Sequence, residues 1–155
     1  MLHPLPTLSE ENAGVPSEVW SLDNFSRGQI LQRTFGRNLP SNYPVFAIYD
    51  RGRATAIMSM DLTAPTYQDM DAIDSNIREK LYEIAGYDEP PVQWLNHEQY
   101  FNGQSIHTRV LMVILPTNSP QEGLDQTRNM RRVAQELGIN LIIKQTADSK
   151  RYLDD

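Results

Sequence analysis

Residues 44–61 read PVFAIYDRGRATAIMSMD, and the reading of this stretch decides the fold. Two short runs, 45–49 (VFAIY) and 54–60 (ATAIMSM), are apolar and carry the β-branched and aromatic residues that suit a pleated surface. Between them Asp50-Arg51-Gly52-Arg53 is a polar turn with a glycine. The stretch therefore predicts a β-hairpin.

Upstream of it a helix is expected over 25–35. Asp23 or Asn24 can cap its first amides, Ile30, Leu31 and Phe35 form an apolar stripe, and Gly36 suits the left-handed position that ends a helix. Residues 1–18 show no periodicity and read as a loosely held arm, so the fold should begin near Val19-Trp20.

Downstream, Thr63-Ala64-Pro65-Thr66 breaks the second strand, and a helix is expected over 67–85. Met70, Ile73, Ile77, Leu81 and Ile84 recur at spacings of three and four, while Asp69, Asp71, Asp74 and Glu79 lie off that stripe. Residues 87–105 carry the weakest signals: a short strand over 92–95 and a turn at Asn102-Gly103. The run 109–115 (RVLMVIL) is almost continuously apolar, as a strand buried on both faces should be. Ser119-Pro120-Gln121-Glu122 has the form of a capping box with proline at the first helical position. The helix it opens should reach about residue 137, with Leu124, Met130, Val133, Ala134 and Leu137 inward. Residues 139–143 form a last strand. A helix between two apolar strands is a crossover, so those strands should be parallel neighbours. Beyond Lys144 the chain is polar and is expected to fray. The order predicts an α/β domain over 19–146, a mixed central sheet flanked by helices, with an arm over 1–18 and a polar tail over 147–155.

At 155 residues the chain has the length of one domain. A net charge of −6 argues against a generic nucleic-acid coat and leaves room for a local basic cleft. Arg27, Arg33, Arg37, Arg51 and Arg53 gather in the first third, although an ordinary solvated surface explains them as well. The absence of cysteine excludes disulfides, zinc ribbons and a thiol nucleophile. No apolar run approaches the ~18 residues of a membrane span, and the first ten residues lack the basic region of a signal peptide. If the protein is exported, another part of a longer polypeptide or another protein must carry it. Neither a Gly-rich phosphate loop nor a His-x-x-x-His pair occurs. His107 and Arg109 enter the buried strand, where the histidine is either a proton shuttle or, more plainly, a structural side chain at a strand edge.

The element order and a set of local motifs resemble the C-terminal nuclease toxins of contact-dependent growth inhibition and polymorphic toxin systems, whose fold is that of the PD-(D/E)XK metal-dependent nucleases. The motifs are Arg27-Gly28, Gly36-x-Asn38-Leu39-Pro40, Tyr43-Pro44-Val45, Ala54-Thr55, Ser59-Met60-Asp61-Leu62, Thr66-Tyr67-Gln68 and the strand and helix from Arg109 onward. The resemblance implies metal-dependent phosphodiester hydrolysis of DNA or tRNA with Mg, Mn or Zn in active relatives. It also implies a cognate immunity protein as partner, a monomer or a heterodimer with that protein, and action in a target-cell cytoplasm after delivery as part of a larger secreted polypeptide.

In such enzymes a glutamate on the first helix, an aspartate on the first hairpin strand and a Ser-x-Lys or Glu-x-Lys pair on the second hold the metal and position water. By resemblance these positions fall at Gln32, Ala47, Ala56 and Met58. None can do the job its position implies, so no metal cofactor is expected for this chain. The substitutions fit a deliberately disarmed toxin or a diverged pseudo-nuclease. The alternative is a non-enzymatic protein-interaction module on the same fold. Arg27, Tyr67, Gln68 and Arg109 are the candidate substrate contacts. Asp50 and Asp61 are nearby carboxylates. Asp50 suits a turn, and Asp61 lies on the strand face opposite to Ala56 and Met58 and should bind local backbone.

Overall fold

A computed structural model describes residues 15–88, 101 and 103–152. The expected strand over 92–95 and Asn102 of the expected turn lie outside the described residues. Four strands form one sheet in the order β1 (Ile48–Asp50), β2 (Arg53–Ser59), β3 (Thr108–Leu115) and β4 (Ile139–Gln145). The first pair is antiparallel, and β2–β3 and β3–β4 are parallel. The sheet is therefore mixed, as the sequence predicts, and the parallel strands all end at the same edge.

Alternation along the strands sorts the core into two layers. Ala54, Ala56 and Met58 of β2 share one face with Leu111, Val113 and Leu115 of β3. That face packs on α2 (Met70–Ala85), through Ile73, Ile77, Leu81 and Ile84, and on α3 (Gln121–Glu136), through Leu124, Met130 and Ala134. Ile57, Met112 and Ile114 point the other way, where Leu31 of α1 (Asn24–Thr34) meets Val19 and Trp20 of a short 3-10 turn. Helices thus cover both faces of the sheet.

The hairpin is present but shorter on its first side than the apolar run suggests. The run begins at Val45, whereas β1 begins at Ile48. Val45 sits at φ 69, and the Phe46 amide donates to the Pro44 carbonyl at 2.8 Å, so residues 44–46 make a γ-turn. Beyond it, the Ala47 amide donates to the Thr55 carbonyl at 2.9 Å while Ile48 is also paired with Thr55. Two successive residues facing one partner is the pattern of a β-bulge, which re-aims side chains. The consequence is that Ala47 lies on the α1 side of the sheet.

The hairpin tip is a two-residue loop. Asp50 pairs with Arg53, and Arg51 and Gly52 both take positive φ, 53° and 88°, as a type I′ turn requires. A Cβ on Gly52 would lie 2.5 Å from His107 Cδ2. Gly52→Ala is therefore expected to cost about 1–3 kcal/mol, combining left-handed backbone strain with that overlap. Urea unfolding checks it. Adding His107→Ala should recover part of the loss, and an unchanged midpoint for the glycine variant alone would contradict this turn.

Other boundaries shift for local reasons. The second helix begins at Met70 because Pro65–Gln68 forms a separate 3-10 turn, and the Asp69 carboxylate accepts from the Asp71 amide at 2.9 Å to cap the helix. The expected capping box before α3 does not form. Pro120 is itself the cap residue, and the Ser119 hydroxyl donates back to the Pro116 carbonyl at 2.7 Å.

The largest departure concerns the residues after β4, which do not fray through Ser149. Thr146, Ala147 and Ser149 are buried. The Trp20 indole donates to the Thr146 carbonyl at 2.8 Å, and the Thr117 amide donates to the Ala147 carbonyl at 2.9 Å. Asn118 grips Ser149 in both directions, its amide nitrogen donating to the Ser149 carbonyl (2.8 Å) and its oxygen accepting from the Ser149 amide (2.7 Å).

Candidate functional site

At the carboxyl ends of the parallel strands, on the α1 side, lies an open cleft of about 470 Å³. This is where open α/β sheets commonly place their ligands, because strands and helices diverge there. Asn24 and Arg27 reach it from α1, Ser59 and Asp61 from the end of β2, Thr66 and Tyr67 from the 3-10 turn, and Arg151 and Tyr152 from the segment after β4.

Arg27 is the most constrained of these. The Asp23 carboxylate accepts from the Ser26 amide at 2.7 Å and starts the helix one turn below, which aims Arg27 back over the sheet. Its Nε donates to Ser59 Oγ at 3.2 Å and its Nη2 to Asn24 Oδ1 at 3.0 Å. Its guanidinium carbon lies 5.3 Å from the Trp20 ring centroid. Only 8% of the residue is exposed. Burial lowers the affinity of Arg27 for its proton, Asp61 opposes that effect, and Arg151 adds to it by like-charge repulsion.

Asp61 is almost fully buried, yet its oxygens are committed. Oδ1 accepts from the Thr63 amide (3.0 Å) and hydroxyl (2.6 Å), and Oδ2 accepts from Ser149 Oγ (2.5 Å). The expectation that Asp61 binds local backbone agrees with this arrangement. The bond to Ser149, 88 residues away, is not foreseen by it. Tyr67 completes the wall. Its hydroxyl accepts from Asn76 Nδ2 at 2.6 Å, and burial pushes its phenol up from the usual range.

The remaining sequence candidates disperse. Gln68 is exposed and lines a second recess, on the other side of Tyr67, with Met70, Pro120 and Glu122. Arg109 sits at the opposite end of the sheet. It pairs with Ala54 across the β2–β3 ladder, five residues or about 16 Å along the strand from Ser59. There its Nη1 donates to the Ile84 carbonyl, so it neutralises the end of α2 rather than lining the cleft. His107 packs on the hairpin tip at that same far end. Asp50 is an exposed turn residue beside Arg51.

The four positions taken from the family pattern are likewise divided. Gln32 is half-buried on α1, and Ala47 packs on the α1 side. Ala56 and Met58 share the other face, against α2 and α3. Among the described residues, no group of three or more histidine, aspartate or glutamate side chains converges. Asp61 is saturated by Thr63 and Ser149. These donors do not fit a divalent cation, which needs several hard oxygen ligands in one place.

A family model described as a CDI toxin restriction endonuclease-like domain matches residues 27–144. Among solved structures, the chain is similar to the CdiA-CT/CdiI toxin and immunity complex from Yersinia pseudotuberculosis. The TM-score is 0.59 at 16% identity, over 81% of this chain and 99% of that one. No curated protein matches the chain. Among the described residues, no helix is long and apolar enough to cross a membrane. The match spans most of the chain, and the mixed sheet with helices on both faces is the α/β architecture such a domain requires: this chain belongs to the family of CDI toxin restriction endonuclease-like domains.

Proposed function

We propose that this domain is a nuclease-fold toxin whose hydrolytic chemistry is absent, and that its cleft faces the backbone of a nucleic acid. What supports this reading is that the positions the resemblance assigns to the metal ligands and the lysine hold Gln32, Ala47, Ala56 and Met58. A neutral amide, two methyls and a thioether cannot hold a divalent metal or polarise water. In active relatives a bound Mg, Mn or Zn ion supplies that chemistry. In this chain Arg27 and Tyr67 bind and orient, and the carboxylate of Asp61 that lines the cleft is committed to Thr63 and Ser149.

The solved Yersinia structure is of a toxin with its immunity protein. We extend that pairing to this chain: a cognate immunity protein is its partner, and a larger polypeptide delivers it to the target-cell cytoplasm. Expression in bacteria lacking the immunity gene is the test. Growth should match the empty-vector control, with DNA and tRNA intact. Growth arrest with cut nucleic acid would overturn the silent reading. The triple variant Q32E/A47D/M58K separates the two accounts of the silence: a toxic nuclease would mean an intact scaffold from which only the chemistry was removed, and no effect would mean a domain that has diverged further.

A further inference from the structure

The segment after β4 lies outside the residues matched by the family, which end at 144, yet it supplies one wall of the cleft. Its path is fixed. Trp20, Thr117 and Asn118 hold the backbone from Thr146 to Ser149, and Ala147 takes φ 56 as the chain turns. Ser149, fully buried, locks the segment to the end of β2 through Asp61.

Two residues later Arg151 enters the cleft that Arg27 enters from the other side. Their charges oppose each other. The carboxylate beside them makes no salt bridge to either, since Thr63 and Ser149 occupy its oxygens. Arg27 is pinned through Nε and Nη2, which leaves Nη1 without a partner among the described residues. Arg151 is exposed, and its contacts among the described residues are a 3.4 Å hydrogen bond to the Leu22 carbonyl and a cation–π contact with the Tyr152 ring. Asp61 offsets part of the charge at Arg27 from a distance but pairs with neither guanidinium, so an anion between the two can still take up their free N–H groups, and the guanidinium fork matches phosphate oxygens.

We propose that Arg27 and Arg151 form a clamp for one backbone phosphate of a nucleic acid, and that the Asp61–Ser149 latch is the device that positions Arg151. The inference rests on the reading of the cleft as a nucleic-acid site, and it assigns Arg151 and Ser149 roles that the family match does not reach.

Metal-free fluorescence anisotropy with a labelled single-stranded DNA and a labelled tRNA, titrated over salt, tests it on the full chain. Arg151→Ala should weaken binding about fivefold at low salt and reduce the slope of log K against log salt by about 0.7–1, as loss of one phosphate contact requires. Ser149→Ala should weaken binding in the same direction with Arg151 still present. Arg33→Ala, an exposed arginine on the same helix outside the cleft, should leave both quantities near wild type. Should Ser149→Ala fail to fold, Arg151→Ala alone decides, because its side chain is on the surface. If Arg27→Ala abolishes binding and Arg151→Ala does not, the clamp is wrong and the cleft reading survives. If the wild-type chain binds neither nucleic acid, both fall. If Arg151→Ala lowers affinity only for the immunity protein, Arg151 belongs to a protein interface and the clamp is overturned.

Discussion

Replacing Trp20 with alanine is expected to destabilise the domain by about 3–5 kcal/mol, a large share of the roughly 5–15 kcal/mol that holds a domain folded. Three contributions add at this residue. Its ring is 1% exposed and fills the layer between α1 and the sheet, alongside Leu31, Ile57 and Ile114. Its Nε1 donates to the carbonyls of Thr146 (2.8 Å) and Ala147 (3.2 Å), which pins the C-terminal segment. Its face supports the Arg27 guanidinium. Urea unfolding should show a lower midpoint at an unchanged slope, and the melting temperature should fall by about 6–20 °C. Trp20→Phe separates the contributions. It retains most of the buried ring and loses the N–H, so about 1–2 kcal/mol should go. Phe25→Ala, at a side chain 75% exposed, should change stability by less than about 0.5 kcal/mol. Equal losses for the two alanine variants would contradict the packing described.

The second large effect is expected at Asp61. Alanine there removes the acceptor for the Thr63 amide, the Thr63 hydroxyl and the Ser149 hydroxyl together. Bonds to a carboxylate are stronger than neutral ones, and a buried donor left unmade costs about 1–3 kcal/mol. The Thr63 hydroxyl also contacts Ser149 Oγ at 3.2 Å, so those two groups can partly satisfy each other. A net loss of about 2–4 kcal/mol follows. Asp61→Asn retains an acceptor and should fall between alanine and wild type. The same change releases the latch, so trypsin should cut after Lys150 or Arg151 faster in Asp61→Ala than in wild type under native conditions. Unaltered cleavage there would place the anchoring of the segment elsewhere.

Most of the scaffold was legible because it is written in local periodicity. The stripe from Ile73 to Ile84 and the two-faced apolar run ending at Leu115 each announce their burial, and both lie in the core. What was not legible depends on contacts between distant parts of the chain. The order after β4 comes from bonds spanning 126 residues to Trp20 and 88 to Asp61, and no window of sequence contains both partners. The polar composition of that segment suggests fraying, whereas Asp148 and Ser149 are spent on Thr117, Asn118 and Asp61. Arg109 illustrates the converse. As a cation at the start of a buried strand it reads as a candidate substrate contact, and only the fold places the end of α2 beside it. The side of the sheet on which Ala47 lies is set by the backbone: a γ-turn at Val45 and a bulge against Thr55 break the simple alternation that would put it on the face of Ala56.

Arg27 and Tyr67 were recognisable through motifs, and the structure brings both into one cleft. Arg151 carried no such signal. Its place there follows from the latch, not from any spacing in the sequence. The cleft therefore combines an element that the family pattern reaches with one that it does not.

The silent-toxin reading is tested most directly by a cleavage assay of the purified chain on plasmid DNA and on tRNA, with Mg²⁺, Mn²⁺ or Zn²⁺ supplied in turn. Both substrates should remain intact with every metal, at protein concentrations that saturate binding in the metal-free titration. Robust, metal-dependent cutting of either substrate would contradict the proposal and would mean that the catalytic groups lie at residues other than Gln32, Ala47, Ala56 and Met58.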